Sequence, residues 1–113
     1  RSVSDFVLNG VPFDLKNTNY FGDWDKRSVN ENKQEVAEIL FKDADVARLR
    51  KQAQKSLNGW GLNRFYVMVE DQSRWMTDPE GVLKEVCEHT SMLTEPFEIK
   101  IEDLIIQTHL IAI

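Results

Sequence analysis

Two acids and a lysine lie close together near the start of the chain: Asp5, Asp14 and Lys16. Carboxylates are hard oxygen ligands that suit Mg2+, for which Mn2+ can substitute. An ion held in this way polarises a phosphoryl oxygen and draws hydroxide from its own bound water. An ammonium beside it orients that water or stabilises the charge that develops at phosphorus. If the three side chains converge, the chemistry they suit is hydrolysis of a phosphodiester.

Convergence depends on the elements that carry them. Phe6-Val7-Leu8 is a short β-prone run, Asn9-Gly10 is a strong hairpin signal, and Val11 to Lys16 returns as a second strand with Pro12 tolerated near its start. Alternation places Pro12, Asp14 and Lys16 on one face and Val11, Phe13 and Leu15 on the face that meets the core. Folding at Asn9-Gly10 brings Asp5, at the open end of the first strand, back beside Asp14.

Asp5 followed by Asp14-Leu15-Lys16 on paired strands resembles the PD-(D/E)XK nuclease superfamily, the restriction-endonuclease-like proteins. The family's two acids fall on Asp5 and Asp14 and its lysine on Lys16. Ser4 stands where the family usually has proline, which is not a ligand. The resemblance implies an α/β fold with a mixed central sheet flanked by helices, and a Mg2+-dependent endonuclease whose partner is DNA. It also implies a helix before the first motif strand, often the source of a further acid. Only four residues precede Asp5, so the expectation is one nuclease-like domain over 1–113 forming the C-terminal part of a longer chain. The Val11, Phe13 and Leu15 face would then be covered by the missing N-terminal segment or by a second copy in a homodimer. Glu31 or Glu35 is the next candidate for a third ligand. A plainer reading also fits: a non-catalytic α/β interaction module on which Asp14 and Lys16 form an exposed ion pair worth under about 1 kcal/mol.

Composition narrows these readings. A chain of 113 residues is one domain, and a net charge of −5 argues against holding DNA by bulk electrostatics. Phosphate contacts need only a local basic surface, for which Arg48, Arg50, Lys51 and Lys55 are one group and Lys26 and Arg27 another. No stretch is long and apolar enough to span a bilayer. Cys87 is alone and forms no zinc-ligand spacing with His89 or His109, which leads us to expect a cytoplasmic protein.

Further along, Asn17 to Asp25 has no helical period and leaves the end of the Asp14 strand, where substrate contacts are commonly built. Its candidates are Asn17, Tyr20 and Trp24, with Lys26 and Arg27 just beyond. The aromatic residues can stack on bases or pin the loop to the core. Ser28 to Glu31 has the form of a capping box opening a helix through Phe41, and Asp43-Ala44-Asp45 interrupts it. A second helix carries Val46, Leu49, Ala53 and Leu57 as one stripe and stops at Asn58-Gly59. Phe65 to Val69 is continuously apolar, as in a central strand buried on both faces. Thr77 caps a helix that enters through Pro79 and buries Val82, Leu83, Val86 and Cys87. Phe97, Ile99 and Ile101 alternate as a strand. The tail from Asp103 to Ile113 fits either a strand or a buried helix.

Overall fold

The computed structural model describes residues 6–8, 10–55, 62–90 and 95–113. Asp5 and the Asn58-Gly59 helix stop lie outside them. Among the described residues five strands form one mixed sheet in the order β1-β2-β3-β5-β4, where β1 is Phe6–Leu8, β2 Val11–Thr18, β3 Arg64–Met68, β4 Phe97–Ile101 and β5 Leu104–Ala112. Both outer pairs are antiparallel hairpins, and the inner pairs β2–β3 and β3–β5 are parallel. Parallel neighbours need crossovers. Helices α1 (Lys26–Glu31), α2 (Lys33–Phe41) and α3 (Val46–Lys55) make the first, and α4 (Arg74–Thr77) and α5 (Pro79–Thr90) lie in the second.

Every described part of β3 is buried, because it is the middle strand and both its faces are covered. Tyr66 and Met68 join Val29, Val36, Phe41 and Leu49 on the α1–α3 side. Phe65 and Val67 join Phe13, Val82, Val86 and Ile111 on the α5 side. A sheet sandwiched in this way accounts for a run of apolar residues with no polar alternation. The C-terminal stretch is strand β5, paired with both β3 and β4.

The first hairpin has the expected register. Leu8 pairs with Val11 across a two-residue connection, and Gly10 sits at φ 79°. Nothing lies within 4 Å of where a Cβ would stand, so the requirement for glycine is conformational only. Gly10→Ala should therefore cost about 1 kcal/mol, the penalty of a left-handed backbone for an L side chain, measurable by urea unfolding.

Three helix details differ from the sequence reading. The capping box belongs to Asp25, which accepts from the Ser28 backbone N–H at 2.8 Å while the Ser28 hydroxyl accepts from the Asp25 N–H at 2.9 Å. Helix α1 therefore starts earlier, and α2 begins separately after Asn32. At α5 the cap is Asp78, whose carboxylate accepts from the Gly81 N–H at 3.1 Å; Thr77 ends α4. Cys87 and Leu83 are exposed rather than buried, because α5 meets the sheet through Val82 and Val86, a stripe one residue wide.

The Val11, Phe13 and Leu15 face is also more covered than the sequence suggested. Phe13 is 1% exposed among the α5-side residues, with Val11 and Leu15 packed half-buried against the same cluster. Helix α5 of the same chain supplies much of that cover. Among the described residues no helix is long and apolar enough to cross a membrane.

Candidate functional site

Asp14 and Lys16 stand where alternation places them, on the face of β2 opposite Phe13. The Lys16 Nζ lies 3.1 Å from Asp14 Oδ2, and the two side chains are 48% and 39% exposed. A pair this open to water contributes under about 1 kcal/mol to stability. Loss of the Lys16 side chain alone should therefore change stability by less than about 1 kcal/mol.

The register of β2 against β3 adds a third charge. Arg64 is the direct neighbour of Asp14, and Tyr66 that of Lys16. The Arg64 guanidinium is 4.0 Å from Asp14 Oδ2 and donates to Gln52 Oε1 on α3 at 3.1 Å and to the Asn63 carbonyl at 3.3 Å. With only 7% of the residue exposed, this is a cation fixed in place from several sides. Sequence reasoning missed it. The available signal was a charged residue at the head of an otherwise apolar central strand.

Asn63 ties the two strands together at this point. Its carbonyl accepts from the Asp14 N–H at 3.1 Å, and its side-chain amide donates to the Pro12 carbonyl at 3.1 Å. Removing the Asn63 side chain, itself 2% exposed, leaves the part-buried Pro12 carbonyl with one donor fewer. Asn63→Ala should cost about 1–3 kcal/mol and loosen the strand that presents Asp14, read as a drop in the urea midpoint.

A hollow of about 250 Å3 opens beside the pair, between the β2–β3 surface and α2–α3. Its polar lining is Lys16, Arg48, Arg64, Gln52, Tyr66 and Asp45, over a floor that includes Phe41 and Leu49. The Tyr66 ring is braced edge-on by Phe41, with centroids 5.5 Å apart. Burial pushes the Tyr66 phenol up to about 12, so its hydroxyl stays protonated at neutral pH. A larger hollow of about 520 Å3 lies on the opposite face, lined by Leu8, Val11, Phe13, Glu98 and His109 among others. It is larger, but Lys16 and Arg64 do not line it.

The remaining candidates are dispersed. Asn17 projects from the other face of β2 and donates to Gln72 at 2.9 Å. Tyr20 and Trp24 pack against the α1–α3 core, the pinning role, and burial raises the Tyr20 phenol to about 12. Lys26 is exposed at the start of α1, while Arg27 pairs with Glu31 at 3.0 Å, which occupies that candidate third ligand. Glu35 is exposed in the first turn of α2. Arg50, read as part of a basic surface, is committed to the β4–β5 turn, 2.5 Å from Asp103 and 2.9 Å from Glu102. These hydrogen bonds push the Arg50 guanidinium pKa up and hold the Asp103 carboxyl below its usual range.

Among the described residues no group of three His, Cys, Asp or Glu side chains is placed to hold a metal. Among those residues Asp14 is the carboxylate beside Lys16, and its hard oxygens are partly open to solvent. That is compatible with Mg2+, which keeps several waters and is commonly held by one or two carboxylates. Comparison of the chain with family models, with curated proteins and with solved structures gives no match.

Proposed function

We propose that this chain is a metal-dependent endodeoxyribonuclease with a restriction-endonuclease-like core. One observation carries the reading: a carboxylate and an ammonium two residues apart on one face of β2, 3.1 Å from each other. Its surroundings support it. The strand is the second of a hairpin and gains a parallel neighbour after a helical crossover, the order that the resemblance leads one to expect. When bound, Mg2+ would supply Lewis-acid polarisation and an acidified water. Asp14, joined by Asp5, would hold it, and Lys16 would orient the attacking water and stabilise charge on the phosphoryl oxygens. Lys26, exposed on α1, is open to a phosphate of the flanking DNA backbone.

Calorimetric titration with Mn2+ tests the reading. Wild type should bind with a dissociation constant in the millimolar range or tighter, and Asp14→Asn should lose that binding together with cleavage of plasmid DNA. Absence of divalent-ion binding in wild type would instead favour a non-catalytic interaction module.

A further inference from the structure

The hollow beside Asp14 contains more positive charge than a water-orienting lysine requires. Lys16, Arg48 and Arg64 all reach its wall, against one carboxylate, Asp45, among the described residues of its lining. That carboxylate is turned to its own helix, where it caps α3 by accepting from the Arg48 N–H at 3.2 Å. The remaining polar lining, the Gln52 amide and the protonated Tyr66 hydroxyl, includes N–H and O–H donors. Guanidinium groups grip tetrahedral oxyanions through paired N–H donors.

We propose that this hollow binds one phosphate group, held by Arg64 and Arg48 with the Tyr66 hydroxyl, and that Asp14 opposes its binding by competing for Lys16 and Arg64. Gln52 is a positioning residue here, fixing the Arg64 guanidinium from α3. The competition follows from distance, since Asp14 Oδ2 is 3.1 Å from the Lys16 ammonium and 4.0 Å from Arg64. A cation that engages Asp14 would weaken its pull on the Lys16 ammonium and on the Arg64 charge, while the contacts of Arg64 with Gln52 and the Asn63 carbonyl stay in place. Metal and phosphate should therefore help each other bind, and by linkage the effect is reciprocal. The phosphate site itself does not depend on catalysis. Only the assignment of that phosphate to a DNA backbone rests on the nuclease reading.

The test is titration of the whole chain with inorganic phosphate in buffer free of divalent metal, followed by calorimetry or phosphorus NMR line width. Binding with a dissociation constant of about 1 mM is expected from a few charge-assisted hydrogen bonds. Arg48→Ala, at an exposed position, should weaken it about fivefold, the size of one solvent-accessible charge contact. Asp14→Asn should tighten it by a similar factor, in the opposite direction to its effect on Mn2+. Dimethyl phosphate that displaces inorganic phosphate identifies a diester as the natural occupant; failure to displace it identifies a free or terminal phosphate, and both support the site. No binding in wild type, or affinity unchanged in both variants, overturns the proposal. The two readings separate cleanly. Phosphate binding without Mn2+ binding keeps the anion site and removes the nuclease, and Mn2+ binding without phosphate binding does the reverse.

Discussion

On the proposed nuclease reading, Lys16→Ala is expected to lower DNA cleavage by at least about 10²–10³, the usual cost of removing one group that stabilises charge developing in a transition state. DNA binding should remain within several-fold of wild type, because one lysine adds little to an interface made with many phosphates. The separation matters. An interaction made only in the transition state lowers kcat and kcat/KM together, whereas a purely binding lysine raises KM at constant kcat. Single-turnover cleavage and filter binding on the same duplex distinguish the two. Equal losses in both would assign Lys16 to the interface and remove it from the chemistry. Because its ion pair with Asp14 is open to water, Lys16→Ala should stay within about 1 kcal/mol of wild-type stability, which a thermal melt checks directly.

Mild acid should destabilise the fold through one buried histidine. His109 is 4% exposed and packed against Phe13 and Phe65, with ring centroids 5.0 and 5.7 Å away. Burial lowers its pKa to about 4, with the Lys33 ammonium as a second cause. The unfolded chain takes up this proton near the ordinary histidine value of about 6.5. The neutral ring's contribution is therefore complete above that value and is lost as pH falls from about 6.5 towards 4. Between about pH 7 and pH 5 the loss should be on the order of 2 kcal/mol, read from urea unfolding at the two values. Asp25, Asp71 and Asp103 lose their share only at lower pH, since hydrogen bonds from Ser28, Ser73 and Arg50 respectively hold them below the usual carboxylate range. In His109→Gln the slope between pH 7 and pH 5 should flatten. A slope equal to that of wild type would show that another group titrates there.

Much of the hairpin could be read in the sequence because its determinants are local. A two-residue Asn-Gly connection fixes the register, and the register fixes which side chains share a face. The central strand was equally plain, since an apolar run too short for a helix has few other placements. What local reasoning could not supply was Arg64, which reaches Asp14 only through pairing between strands far apart in the chain. The two misplaced caps have a similar origin. Asp25, Ser28, Thr77 and Asp78 all carry side-chain oxygens suited to capping, and sequence alone does not decide which backbone N–H each oxygen reaches. Cys87 was misjudged because apolar spacing on α5 marks a stripe wider than the contact the sheet provides. The C-terminal strand was ambiguous for a complementary reason: it is paired on both sides, so burial erases the alternation that would have identified it.

The parallel pairing of β2 with β3 and of β3 with β5 also governs how the molecule comes together in time. The hairpins at either edge can close early, but each inner pairing has to wait for a whole crossover of helices to be drawn in, and such long-range closures are slow. Until then Phe65, Val67 and Val69 form an unprotected adhesive strip, open to other copies of the same chain. Recovery on dilution from denaturant should fall as protein concentration rises. The completed charge cluster at Asp14 should appear only once β2 and β3 have paired, so an isolated hairpin peptide would carry Asp14 and Lys16 without the Arg64 that completes it.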